Sequence, residues 1–204
     1  MKPEVGVALG AGSARGLAHI GVLQAFEEEG VTIDYLVGTS MGSVIGGFYA
    51  AGLNLNRLAR LADHLEWDYF NDVTVSRQGL LAGERFKEFF QLLTKQKDFA
   101  ELDFPFAAVA TDIETGEEVV LTEGSVAEAM RASMSIPGIY IPHQWQGRKL
   151  VDGAVINRVP VSVAYDLGAD IVIGVDVSYQ AGRQSSVDNI FAVILNSIDI
   201  MQQE

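Results

Sequence analysis

The stretch Tyr35-Leu36-Val37-Gly38-Thr39-Ser40-Met41-Gly42-Ser43 decides the reading of this chain. Gly38 to Gly42 is its only G-x-S-x-G. Apolar residues lead in, and a run of small residues from Ser43 to Ala51 leads out. That is the strand–turn–helix setting of a nucleophile elbow. A tight turn between strand and helix leaves no room for side chains beside the serine, and glycine tolerates the backbone angles required. The product is an exposed hydroxyl at a helix N-terminus, where backbone amides favour negative charge. A chance pentapeptide in a glycine-rich chain is the competing reading.

A second loop supports the first. The strand Val5-Gly6-Val7-Ala8-Leu9 runs into Gly10-Ala11-Gly12-Ser13-Ala14-Arg15-Gly16 and then a helical stretch, Leu17 to Glu29. A glycine-rich loop between strand and helix presents N–H groups in a row, which suits an anion. In acyl transfer that anion is the tetrahedral oxyanion. The base for Ser40 is then sought among three histidines, His19, His64 and His143. None lies beyond His143, and none has a loop context of its own. Leu150-Val151-Asp152-Gly153-Ala154 instead offers a carboxylate at a strand end before a glycine turn. The residues favour a serine–aspartate dyad over a Ser-Asp-His triad.

With these pieces in order, the chain resembles the bacterial patatin-like phospholipases, a family of acyl hydrolases. The family's G-G-G-x-x-[RK]-G is matched by Gly10 to Gly16, with Ala11 at the second glycine. Its elbow is matched by Gly38 to Gly42, and its D-G-[GA] by Asp152-Gly153-Ala154. Val109-Ala110-Thr111-Asp112 with Thr115-Gly116-Glu117, and Arg131-Ala132-Ser133-Met134-Ser135-Ile136-Pro137-Gly138, also resemble it. The similarity runs from about residue 5 to about residue 178. It implies Ser40 as nucleophile, Asp152 as base, and an oxyanion hole from Gly10, Ala11, Gly12, Ser13, Ala14, Arg15 and Gly16, with Arg15 supporting the loop. It implies cleavage of carboxylic esters of phospholipid or lysophospholipid. An esterase or thioesterase acting on soluble acyl esters is the alternative, as is a non-catalytic regulatory protein on the same fold.

Strands alternate with helices along the chain. Phe106–Ala110 and Val119–Thr122 read as strands, and Ser125–Ser133 as a helix with a Ser125/Glu128 capping box. Pro160–Leu167 and Asn189–Gln202 read as helices. Ile171–Val177 is so apolar that a central strand is expected. The pattern predicts one domain over 1–204, a three-layer α/β/α sandwich on a mostly parallel sheet, with both loops at strand C-termini. Residues 64–100 break the rhythm with Trp67, Tyr69, Phe70, Leu80, Leu81 and Phe86. They form either a lid or acyl pocket over Ser40, or a helical insertion packed on the core.

Composition bounds the rest. The 204 residues carry a formal net charge of −13 and no cysteine. That charge opposes nucleic acid and anionic membranes, both of which reward Lys and Arg. At most peripheral membrane contact through apolar residues is expected. Met1-Lys2-Pro3-Glu4 lacks an apolar leader, and no apolar run reaches the roughly 18 residues of a membrane span, so the expected location is cytoplasmic. No residues have metal-ligand spacing, and no metal or cofactor is expected. A dinucleotide site is disfavoured because Gly16 falls one residue late and Thr39-Ser40 stands where an acidic residue would. Asp112 reads as a turn residue and Asp176 as a structural acid. The resemblance fades after Ser178, and members of the family usually continue with a further strand and helix. The chain is therefore expected to be a short member or a trimmed one. Ile190, Val193, Ile194, Ile198 and Met201 give the last helix an apolar face for core packing or self-association.

Overall fold

The computed structural model describes residues 2–74, 76–177 and 190–201. In chain order the elements are β1 Val5–Leu9, α1 Ala18–Glu28, β2 Tyr35–Thr39, α2 Met41–Ala50, α3 Leu55–Asp63, β3 Gly79–Leu81, α4 Glu84–Leu93, β4 Phe106–Asp112, β5 Glu118–Leu121, α5 Val126–Ser133, β6 Gly138–Tyr140, β7 His143–Trp145, β8 Arg148–Asp152, α6 Val161–Asp166, β9 Ile171–Val175 and α7 Ile190–Met201. A 3₁₀ turn, Ser13–Leu17, precedes α1, and another, Gly153–Val155, follows β8.

Four parallel strands in the order β4-β2-β1-β9 form one side of a seven-stranded sheet, with β9 at its end. Period-two alternation sorts their side chains onto two faces. Val7, Leu9, Leu36, Phe106, Ala108 and Ala110 face the larger core, covered by helices that include α1, α2 and α5. Val37, Ala107 and Val109 face a smaller one with Val163 and Ala164 of α6. The result is the three-layer mixed α/β fold.

Strand β4 is the pivot. Its first half pairs in parallel with β2, ending at Thr39 opposite Val109. Its second half pairs antiparallel with β8, with Ala110 opposite Asp152. Because β5 pairs with Ala108 to Thr111, β2 and β8 must share the other edge. Two strands running in opposite directions thus arrive at adjacent residues of β4, one ending at Ser40 and the other at Asp152.

Three expectations need correction. Strand β9 is not central. It pairs with β1, and among the described residues no strand pairs with its outer edge, leaving Ile171 half exposed. The fully buried strand is β4, whose alanines let helices approach closely. Ser125 is the N-cap of α5, but its side chain caps nothing; the capping box is at Asp98 and Glu101. The helix expected from Leu17 begins as a 3₁₀ turn at Ser13 and becomes α-helical at Ala18.

Residues 64–100 pack on the larger core. Phe70 stacks on Phe86 with ring centroids 4.2 Å apart, and Phe90 meets Phe48 edge-on at 5.7 Å. Strand β3 pairs in parallel with β6. The buried Arg131 donates to the carbonyls of Ala82, Gly83 and Ile141, fastening this insertion to α5. In α7, Ile194 approaches Gly138, whereas Val193 and Ile200 are exposed; Ser178 lies outside the described residues. Phe90 is 1% exposed, so Phe90→Ala should cost about 3–5 kcal/mol. Urea unfolding followed by circular dichroism checks this.

Candidate active site

The site begins with backbone strain. Ser40 has φ 55° and ψ −123°, a conformation rare for a residue with a side chain. It is the sharp elbow between β2 and α2. Neighbouring glycines make the turn possible. A β-carbon on Gly42 would lie 2.1 Å from the Leu9 carbonyl oxygen, and one on Gly38 would lie 2.4 Å from the Ser43 nitrogen. The first of these packs the elbow directly against the end of β1, where the glycine-rich loop starts.

Ser40 Oγ donates to Asp152 Oδ2 at 2.7 Å. The other carboxylate oxygen accepts the Ala154 amide at 2.9 Å. Both residues are buried, Ser40 at 7% exposure and Asp152 at 4%. Burial pushes the Asp152 carboxyl up to about 6, against the opposing pull of the Ser40 and Ala154 hydrogen bonds and the Arg158 charge. A carboxylate held there is a better proton acceptor than a solvated one and is still ionised above neutral pH.

None of the three histidines hydrogen-bonds to Ser40 or Asp152 among the described residues. His19 is fully buried, and its Nε2–H donates to the Gly10 carbonyl at 2.8 Å. Burial lowers its pKa and keeps the ring neutral. His64 Nδ1–H donates to the Arg60 carbonyl. His143 sits on β7, where burial and then the Arg131 and Lys87 charges push it down to about 4.

The glycine-rich loop is held by specific bonds. The Gly10 amide donates to Val175, the Ala11 amide to Arg158 and the Arg15 amide to the Gly12 carbonyl, each at 2.9–3.0 Å. Those three donors are therefore committed within the fold. Among the described residues, the amides of Gly12, Ser13 and Ala14 form no such bond. A β-carbon on Gly16 would lie 2.4 Å from Met41 Cγ, so the loop also packs on the residue after Ser40. Arg15 is half-buried.

Asp112 Oδ1 accepts the Glu114 amide at 2.9 Å, and its Oδ2 lies 3.7 Å from Arg148. Asp176 is exposed beyond β9, where its charge acts on His19. Among the described residues, no group of three or more His, Asp or Glu could hold a metal ion. Ser133 stood in the sequence without an assigned part. It contacts the Ser40 amide, and only its place in the R-A-S-x-S-I-P-G stretch could have pointed to it.

The frame is that of a mixed α/β domain which joins an elbow serine and a strand-end aspartate in one buried hydrogen bond. Residues 7–165 match the family model for patatin-like phospholipases. Over 179 residues the chain is 37% identical to a protein named an uncharacterized NTE family protein from Mycobacterium tuberculosis, covering 86% of this chain and 49% of that one. It is 35% identical over 187 residues to human patatin-like phospholipase domain-containing protein 6, covering 86% of this chain and 13% of that one. The fold also matches VipD from Legionella pneumophila, with a TM-score of 0.67 at 12% identity over 78% of this chain and 47% of that one. The chain belongs to the patatin-like phospholipase family, and it spans about half or less of the length of these relatives.

The raised carboxyl of Asp152 links activity to stability. Its folded value, about 6, lies above the unfolded one near 3.9. The group therefore stabilises the fold relative to its ionised form below the unfolded value, and that contribution is lost as pH rises through about 6. At neutral pH the buried charge costs stability. Asp152→Asn keeps the shape and removes the charge, so it should raise unfolding free energy by about 1–3 kcal/mol at about pH 8, with the gain gone by about pH 4. Urea titrations at the two pH values check the sign.

Proposed function

We propose that this chain is a serine acyl hydrolase that cleaves carboxylic esters of lipids with Ser40 as nucleophile and Asp152 as its base. The observation that carries this reading is the 2.7 Å hydrogen bond between two buried groups at the ends of opposed strands. Asp152 takes the Ser40 proton as Oγ attacks the ester carbonyl carbon. The tetrahedral intermediate collapses, the C–O bond breaks, and Asp152 returns the proton to the departing alcohol. A water then repeats the sequence on the acyl-enzyme: Asp152 takes its proton, hydroxide adds, and Ser40 Oγ leaves as the hydroxyl with that proton. The amides of Gly12, Ser13 and Ala14 supply the oxyanion hole, helped by the positive end of α2. Gly10 and Ala11 hold the loop in place, and Arg15 supports it.

The substrate reading rests on an apolar cavity. It is partly open to solvent, its space of about 440 Å³ including that open side, with Met41, Ile45, Phe48, Leu58, Phe86 and Phe89 among its lining residues. Met41, the residue after Ser40, lines it on one side, and Leu65, Phe86, Phe89 and Phe90 of the insertion line it on another. Its lining suits an alkyl chain, and a protein named a lysophospholipase is among the relatives, 34% identical over 180 residues. Among the described residues no helix is long and apolar enough to cross a membrane. With a net charge of −13, the enzyme meets lipid through apolar contact or as dispersed substrate, and we place it in the cytoplasm.

Ser40→Ala should abolish both hydrolysis of p-nitrophenyl esters and labelling by a fluorophosphonate. Substantial turnover by that variant would remove Ser40 from the mechanism. In the unmodified protein kcat/KM should rise with pH along a single limb centred at about 6, where Asp152 ionises. Replacing any one histidine by Gln should leave that limb in place. Ala62 also lines the cavity. Ala62→Trp should lower kcat/KM for a decanoyl ester by about tenfold or more while leaving a butyrate ester within about twofold, the penalty expected for a filled apolar site.

A further inference from the structure

Ser40 holds a strained backbone conformation, φ 55° and ψ −123°, that persists only where its surroundings impose it. Its carbonyl is secured three times over, by the Ser43 amide at 2.9 Å, the Val44 amide at 3.1 Å and the Ser43 hydroxyl at 2.7 Å. Among the described residues its amide has a single partner, the Ser133 hydroxyl at 2.9 Å. Ser133 closes α5, is fully buried, and spends its own proton on the Val109 carbonyl at 2.6 Å. A hydroxyl that donates once keeps lone pairs to accept the Ser40 N–H.

The Val109 carbonyl stands at the junction on β4. A β-carbon on Gly153, the residue after Asp152, would lie 2.2 Å from its oxygen. Two residues beyond Ser133, the Ser135 carbonyl accepts the Asp152 amide at 2.9 Å. Met134 between them lines the apolar cavity. One short segment thus touches the backbone on the nucleophile side, the backbone on the base side and the wall of the cavity.

We propose that Ser133 is a positioning residue for the dyad. Its hydroxyl ties the Ser40 backbone to the Val109 carbonyl of β4, against which the Asp-Gly turn at the end of β8 packs, and so sets the distance between Ser40 Oγ and Asp152. It meets the reacting atoms only through Ser40. The proposal rests on Ser40 being the nucleophile.

Removing the hydroxyl leaves the Ser40 amide buried without an acceptor and frees the elbow to relax. Misplacement by about 1 Å can cost about 100-fold. Ser133→Ala should therefore lower kcat for a p-nitrophenyl ester by about 10- to 100-fold, with KM within about threefold. The rate of fluorophosphonate labelling at Ser40 should fall by the same factor as kcat. Ser133→Thr keeps the hydroxyl and should retain far more activity than the equally shaped Ser133→Val, a comparison that holds even if the alanine variant folds poorly. Thr94→Val serves as the control. It removes another fully buried hydroxyl, bonded to Phe90 at 2.8 Å, away from the dyad. It should lower the melting temperature while leaving kcat alone. The proposal is overturned if Ser133→Ala keeps kcat within about twofold, if the Thr and Val variants turn over equally, or if Thr94→Val loses as much kcat at the same loss of melting temperature. Failure of the underlying reading looks different: Ser40→Ala would then remain active.

Discussion

The edge of β4 is where this structure is decided. A strand edge can be shared by two partners only if one stops where the other begins, and here β2 stops at Thr39 opposite Val109 while β8 ends at Asp152 opposite Ala110. The chain must leave the edge sharply on both sides, because neither strand can continue into the other. On one side it leaves through the strained elbow at Ser40, and on the other through the 3₁₀ turn at Gly153. The Ser40–Asp152 contact follows from this register without any flexible loop having to find its partner.

Burial at that junction serves two ends that pull against each other. Removing water from Asp152 makes it a stronger base, and it also makes the folded protein bear an ionised carboxylate where charge is disfavoured. Two hydrogen bonds and the field of Arg158 offset part of that penalty. The same exclusion of water would strengthen any amide aimed at an oxyanion. Chemistry and stability thus draw on one property of the site in opposite directions, as is common where a function needs a destabilised group.

Much of the fold was legible because the signals were local. A glycine-flanked serine between an apolar run and small residues can hardly be anything but a strand–turn–helix corner, and Asp152-Gly153 reads the same way at the end of β8. Position within the sheet was not legible. Ile171 to Val175 is more apolar than Phe106 to Asp112, yet among the described residues the first pairs on one side only and is partly exposed, while the second is buried throughout. Hydropathy reports how greasy a strand is, whereas pairing partners and the small size of alanine settle where it goes. The short strands β3, β6 and β7 also escaped, because three residues leave no period to detect. The glycine-rich loop was readable as a loop, but which amides stay open depended on Val175 and Arg158, both remote in sequence.

The Ser40–Asp152 hydrogen bond joins residues 112 positions apart, and between them the chain lays down β4, β5, α5 and the insertion. Contacts this distant form late, since the entropy of closing so long a loop is met only when most of the sheet already exists. The Ser40–Asp152 contact therefore reports on the whole domain rather than on the elbow alone.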